Sequence, residues 1–423
     1  MANLSPSNFF HFIIVFMDLC FLAYSVTHWE DTQALKQFRN GVVNTSVNPG
    51  SCLSTWDFTV DPCDSLSTEK FTCGIRCDVV ISGISRITEL TLDRAGYSGS
   101  LDSSSWNLPY LQTLDLTNNF FTGSIPGSFS RLTRLQRLSL SINSLNESIP
   151  DSLPDSLEEL LLDNNKLQGP VPKTLNRLKT LKRLELQGNQ LSGEFPELSQ
   201  LSSLYFLDVS NNAISGYLPA TFPVNLIELA MRNNSLQGNI PANLINNSVY
   251  LQVLDLSYNN LTDSLPPELF THPSLQQITL AYNRFRWIQT PVDWGRNSEL
   301  IAVDLSNNDI RGSLPGFMGW MPNLSALSLE NNKFSGVIPT QYALKAVMQN
   351  GLGGVGPFER LLLGGNYLFG LIPGPFLQLK SGSGVMIRLG DNCLYECPAS
   401  FYFCGGGVQK SLMECKTFTP VIP

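Results

Sequence analysis

The residues able to do chemistry are few, and their spacing says what they are for. Eight cysteines fall in two clusters, Cys52, Cys63, Cys73, Cys77 and Cys393, Cys397, Cys404, Cys415, with none between. A ninth, Cys20, lies in an apolar N-terminal run. Four at each end imply two disulfides per end, formed in an oxidising compartment. Each cluster allows three pairings, and spacing chooses none of them. The four-residue step from Cys73 to Cys77 would also suit zinc, but an even count at both ends favours disulfides. Outside the N-terminal run only His28 and His272 remain, in no ligand-like spacing. The run "GLGGVG" places Gly351, Gly353 and Gly356 in a G-x-G-x-x-G pattern, with no strand-to-helix unit around it, so a loop is expected. Asp115, Asp208, Asp255 and Asp304 recur in an "LDL"-like setting, but on different copies of one segment. Glycoside hydrolysis needs one facing carboxylate pair across a cleft. The expectation is a non-enzyme without cofactor or metal.

The elements that carry these residues are written many times. The segment "LQTLDLTNNFFTGSIP" at 111–126 is one copy of L-x-x-L-x-L-x-x-N-x-L-x-G-x-I-P. The frame Asn recurs at Asn119, Asn143, Asn165, Asn189, Asn212, Asn234, Asn259, Asn283, Asn308, Asn332 and Asn366. Ala95 stands there in a degenerate first copy, Asn392 in a truncated last one. A period of 22 to 25 residues up to Asn332 means a solenoid. In L-x-L both Leu point inward from a short strand. The Asn amide both donates and accepts, and is expected to satisfy turn groups of its own coil and the next. Stacked coils bury a Leu face that one coil cannot. The end coils need caps, and the cysteines sit where caps belong.

Charged residues make up 15% of 423 against a usual value of about 25%. With net charge −8, a nucleic acid is excluded as partner. The run Phe9–Tyr24 is the length of a signal core and short for a membrane span, and Ala23 and Ser25 offer small residues at a cleavage site. The expected organisation is a secretory signal over 1–25, an N-terminal cysteine cap over 26–82, about twelve repeats plus a partial copy over 83–383, and a C-terminal cysteine cap over 384–423. No other run approaches a membrane span, and "KTFTPVIP" is too short for a lipid-anchor signal.

The repeated "FTGSIP" (121–126), "LQGNIP" (236–241), "RGSLP" (311–315), "FSGVIP" (334–339) and "FGLIP" (369–373), with "ALKQFRNGV" (34–42), "STWDFTVDPC" (54–63) and "FTCGIRCD" (71–78), resemble the plant-type extracellular leucine-rich-repeat family. That family includes receptor-like proteins, receptor-kinase ectodomains and polygalacturonase-inhibiting proteins. The resemblance implies an α/β leucine-rich-repeat solenoid: a curved right-handed superhelix, a concave parallel β-sheet, a second sheet from the G-x-I-P segments, and disulfide-stapled caps. Family receptors usually continue into a membrane helix, and many into a kinase. This sequence stops after its C-terminal cap, so the expectation is a secreted protein of the extracellular space or cell wall, or an ectodomain that signals through a partner.

With no catalytic set, function must come from surface. The outward column before the first Leu of L-x-L reads Thr113, Arg137, Glu159, Arg183, Phe206, Glu228, Val253, Gln277. Arg137, Glu159 and Arg183 alternate in sign, which suits a self-paired ladder or a docking face. Tyr205 and Phe206, Arg232, Tyr258 and Tyr282 add aromatic and basic candidates. The frame breaks in "YNRFRWIQTPVDWGRNSEL" (282–300), where Arg284, Arg286, Trp287 and Trp294 stand instead of G-x-I-P. A Trp in place of Gly must bend the coil differently or project. The Asn332–Asn366 interval stretches to 34, and its extra residues are expected to bulge as a secondary binding candidate.

Sequons stand at Asn44, Asn146, Asn233, Asn246, Asn260 and Asn323. Asn234 should be buried and Asn233 should face out near the sheet, where a glycan would obstruct a partner. The expected function is recognition of a peptide, a wall-derived ligand or a partner ectodomain, such as a membrane receptor kinase, in plant defence or development. The alternatives are inhibition of a wall-degrading enzyme such as polygalacturonase, and a structural wall glycoprotein.

Overall fold

The computed structural model describes residues 26–64, 69–348, 354–380, 382–398, 400–405 and 407–418. The expected signal (1–25) and residues 351–353 of the glycine run lie outside the described residues.

A single 14-stranded sheet runs the length of the chain. It begins with Ile75–Arg76, antiparallel to Glu89–Thr91. Every later pairing is parallel and one coil apart, from Thr113–Asp115 through to Met386–Arg388. That last strand lies beyond the 383 boundary drawn from sequence. Each three-residue strand from Glu89–Thr91 onward buries its middle residue, for example Leu114, Leu184, Leu254 and Leu327, and the flanking side chains are mostly less buried, although Ser139, Leu161 and Ala230 are covered by their neighbours. This is period-two alternation at its shortest. The buried Leu column continues from coil to coil as one core.

The frame Asn holds each coil to its neighbour. Asn283 Nδ2 donates to Leu280 O and Ala281 O of its own coil (3.1 and 3.4 Å) and to Leu256 O of the preceding coil (2.9 Å). Its Oδ1 accepts from Leu261 N, also in the preceding coil. The pattern recurs from Asn119 to Asn392. The amide therefore reaches back, not forward as expected. The turn of the preceding coil leaves a carbonyl and an N–H aimed at the following one, and the Asn meets both. Asn234 is only half-buried rather than buried, as are Asn143 and Asn212.

The second sheet is not continuous. It forms four pieces, which end or begin at Ser144–Leu145, Gln168–Gly169, Asn260–Leu261, Ser264–Leu265, Trp287–Ile288 and Arg311–Ser313. One break has a clear cause. Four residues after the frame Asn the backbone is left-handed in every coil from Asn119 to Asn392 except one. Gly usually sits there, and Glu147, Asp263 and Glu396 adopt the same φ. The exception is Trp287, whose bulk disfavours that region. It is drawn instead into a short strand beside Ser264–Leu265.

The caps close as the cysteine count required. Cys52–Cys73 and Cys63–Cys77 staple the first, Cys393–Cys415 and Cys397–Cys404 the last. In the N-terminal cap the helix Trp29–Gly41 buries Ala34, Leu35 and Phe38. Its Asp31 is fully buried and takes both Arg86 Nη2 (2.7 Å) and Ile87 N (3.0 Å).

The long interval after Asn332 corrects another expectation. Most of its extra length is a helix, Thr340–Val347, that buries Tyr342, Ala343, Lys345 and Ala346 rather than bulging outward. Apolar residues at i, i+1 and i+4 give one face to the core.

Candidate ligand-binding face

The outward columns stand in the register read from sequence: Arg137, Glu159, Arg183, Phe206, Glu228, Val253 and Gln277 are consecutive partners across the long sheet. Beside them run Asp115, Ser139, Leu161, Glu185, Asp208, Ala230, Asp255, Thr279 and Asp304. A self-paired ladder describes only the first part. Arg137 pairs with Glu159 and lies 3.9 Å from Asp115. Arg183 turns away from Glu159. It pairs with Glu185 on its own strand and lies over the Phe206 ring, 3.8 Å from the centroid. A guanidinium over an aromatic face gains a quadrupole attraction, so the flat ring competes for it.

Two coils after Arg183, Arg232 lies over Tyr258 of the following coil at 4.9 Å, and Tyr258 stacks on Tyr282 with centroids 4.2 Å apart and planes 13° from parallel. Both tyrosines precede a frame Asn and carry left-handed backbone, φ 55° and 56°. Asn118, Asn164, Asn211, Asn233, Asn307 and Asn331 hold the same place in other coils. Both rings remain substantially exposed, at 39% and 46%. Tyr205 is also exposed, next to the Lys182–Glu158 pair (2.6 Å).

Between these two aromatic groups the face is acidic. Burial raises the carboxyl of Asp208, with Glu185 and Asp255 adding to it and hydrogen bonds from Ser210 opposing. Burial likewise raises Glu228, with Asp208 next. From the Arg183 strand to the Gln277 strand is four strand spacings, about 19 Å. The next coils carry small residues. Ala302, Ala326 and Ser328 floor a hollow of about 330 Å³ edged by Gln277, Asp304, Glu330 and Arg360. Sequence reasoning missed this hollow; its signal was the change from long to small residues in the outward columns after Gln277.

Of the ten candidates, eight share the long sheet's face: Arg137, Glu159, Arg183, Tyr205, Phe206, Arg232, Tyr258 and Tyr282. Arg286 and Trp287 do not. They belong to the second sheet, on the other side of the frame Asn of their coil. Of the sequons, Asn44, Asn146, Asn233, Asn246 and Asn323 are exposed, and Asn260 is half-buried in a strand. Asn233 Nδ2, where a glycan would attach, donates to Asn211 Oδ1 at 2.9 Å. Among the described residues no group of three or more His, Cys, Asp or Glu could hold a metal ion, and no helix is long and apolar enough to cross a membrane.

Comparison with known proteins agrees with this architecture. Models of the leucine-rich repeat match residues 85–152, 155–214 and 250–271. Lumican of Rattus norvegicus is 42% identical over 94 residues, 22% of this chain and 27% of that protein. Receptor-like protein 9b of Arabidopsis thaliana is 33% identical over 102 residues, 23% of this chain and 10% of that protein. The chain thus spans about a quarter or less of the length of these curated relatives. Among solved structures, the plant peptide hormone receptor RGFR1 in complex with RGF2 matches with TM-score 0.65 and 28% identity, covering 77% of this chain and 51% of that one. The ectodomain of the Arabidopsis receptor kinase HAESA, in complex with an IDA peptide hormone, matches with TM-score 0.56 and 28% identity, covering 74% and 60%. The fold is a leucine-rich-repeat solenoid with a long parallel sheet, and plant receptor ectodomains are among its structural neighbours.

Proposed function

We propose that this chain is a secreted recognition module that binds an extended peptide or a partner ectodomain across the long sheet, between Arg183 and Tyr282. The observation that carries the reading is the exposed Arg232–Tyr258–Tyr282 stack. Rigid aromatics with little entropy to lose are what interfaces favour. Here two of them occupy backbone positions that a Tyr adopts at a cost. The Arg183–Phe206 pair repeats the motif at the other end of the face. Structural neighbours crystallised with peptide hormones support the ligand class. Disulfides at both ends and extracellular relatives support secretion.

Two purified proteins test this: the wild-type chain and the Tyr258→Asn, Tyr282→Asn double variant. Each is used to capture peptides and ectodomains from plant extracellular fluid. A partner retained by the first and depleted at least tenfold on the second is expected. The same partners at equal yield on both would overturn the reading. Inhibition of polygalacturonase by the purified chain alone, at sub-micromolar level, would replace it with the inhibitor function.

A further inference from the structure

The break at Trp287 leaves two strand edges side by side. Trp287–Ile288 is the last strand of a two-stranded piece, and Arg311–Ser313 is the first of a four-stranded one. Arg311 N still donates to Arg286 O at 2.8 Å, so the two coils touch there. Beyond that point no ladder joins them among the described residues. A hollow of about 620 Å³ lies between, with Trp287, Ile288, Thr290 and Trp294 on one side and Arg311, Gly312 and Ser313 on the other. Trp294 also walls a second hollow of about 650 Å³, with Arg296 and Trp320. Trp287, Trp294 and Trp320 are each about half-exposed.

The charges around the notch lean basic. Arg296 and Arg311 form no ion pair among the described residues. Of the nearby acids, Asp309 pairs with Lys333 and also feels Arg311 and Arg286 at longer range, Glu299 accepts from Asn323, and Asp293 accepts from Gly295 N. In a chain of net charge −8, Arg286, Arg296, Arg311 and Lys333 stand here against Asp293, Glu299 and Asp309, a small local excess of positive charge.

We propose that this notch is a second docking site, which takes a short extended acidic segment of a partner protein by strand addition. Two facing edges require N–H and C=O groups alternating along an extended backbone, which a peptide supplies. The edge of Trp287 to Thr290 that faces the next coil accommodates roughly four residues, about 13 Å of strand. The indoles pack against apolar side chains on one face of that strand. Arg311 and Arg296 pair with carboxylates on the other. The site lies on the second sheet, apart from the Tyr258–Tyr282 face, and does not depend on what that face binds.

The test uses the full chain and a seven-residue peptide alternating Glu and Val, titrated by tryptophan fluorescence. Binding should survive Tyr258→Asn, Tyr282→Asn. It should weaken at least tenfold when alternate backbone amides of the peptide are N-methylated, or when Arg311, an exposed residue, becomes Glu. Trp287→Gly restores the frame residue and should close the notch, which abolishes binding and protects amides 312–314 from hydrogen exchange. Equal binding of the N-methylated peptide would overturn strand addition. So would no binding at millimolar peptide, or binding of an oligo-uronate in its place.

Discussion

Tyr258 and Tyr282 lie one coil apart and meet face to face at 4.2 Å, each held in a left-handed backbone position where six other coils carry Asn. Sequence spacing makes them neighbours; the shared αL geometry makes them parallel.

The double replacement Tyr258→Asn, Tyr282→Asn should leave stability nearly unchanged. The lost stack is worth about 0.5–1.5 kcal/mol. Relief of the two rings from αL returns at most about 1–2 kcal/mol each, which offsets that loss or slightly outweighs it. A chemical-denaturation midpoint that falls by more than about 2 kcal/mol equivalent would mean the stack holds the coils together, and would spoil its use as a binding probe.

The Asn ladder carries far more than its surface neighbours. Asn308 is buried and meets Leu280 O, Leu305 O, Ser306 O and Phe285 N. Each buried group left without a partner costs about 1–3 kcal/mol. Asn308→Ala should therefore destabilise by about 3 kcal/mol or more in urea unfolding. A loss under 1 kcal/mol would show that water takes over the amide's role.

Buried Lys345 should make the protein more stable toward alkaline pH. Burial lowers its ammonium from 10.5 to about 8, although Nζ donates to Met321 O and sits over the Phe358 ring. Between pH 8 and 10.5 the unfolded chain binds the proton and the folded one does not, so stability rises with pH there. Below pH 8 both states are charged and the full penalty of about 3 kcal/mol remains. Lys345→Met should raise the thermal midpoint at pH 7 and flatten the slope from pH 8 to 10. An unchanged slope would refute this.

His272 should act in the opposite range. It is buried, with Nε2 against Ser248 O and Nδ1 accepting from Ser274 N and Leu275 N, and burial lowers its pKa below 6.5. The unfolded chain then takes up a proton first as pH falls through 6.5, and stability drops. His272→Gln should remove that part of the pH dependence of the unfolding midpoint. If the acid slope is the same in both proteins, His272 is not its source.

The Asp31–Arg86 pair ties the N-terminal helix to the first coils. Removing one partner of a buried pair costs about 3–5 kcal/mol, because the other charge stays buried and alone. Asp31→Ala should unfold the cap at lower denaturant than the repeats, seen as a separate early transition. A single unchanged transition would argue that the cap disulfides suffice.

The sequence by itself determined the solenoid, the column register and the placing of cysteine staples near both ends. Those follow from periods of two and of 22 to 25 residues, which are local and repeated, so each copy confirms the others. It also marked Trp287 as a misfit. Tertiary structure alone decided the rest. Arg183 has Glu159, Glu185 and Phe206 within reach of one long side chain, and only the packed geometry selects the last two. The frame Asn has two neighbouring coils and reaches the preceding one, because only there do an N–H and a carbonyl face it. The cysteine pairing likewise depends on how each cap folds back on itself. A repeating pattern fixes which positions are neighbours; the choice among competing neighbours depends on side-chain direction in three dimensions, which no period encodes.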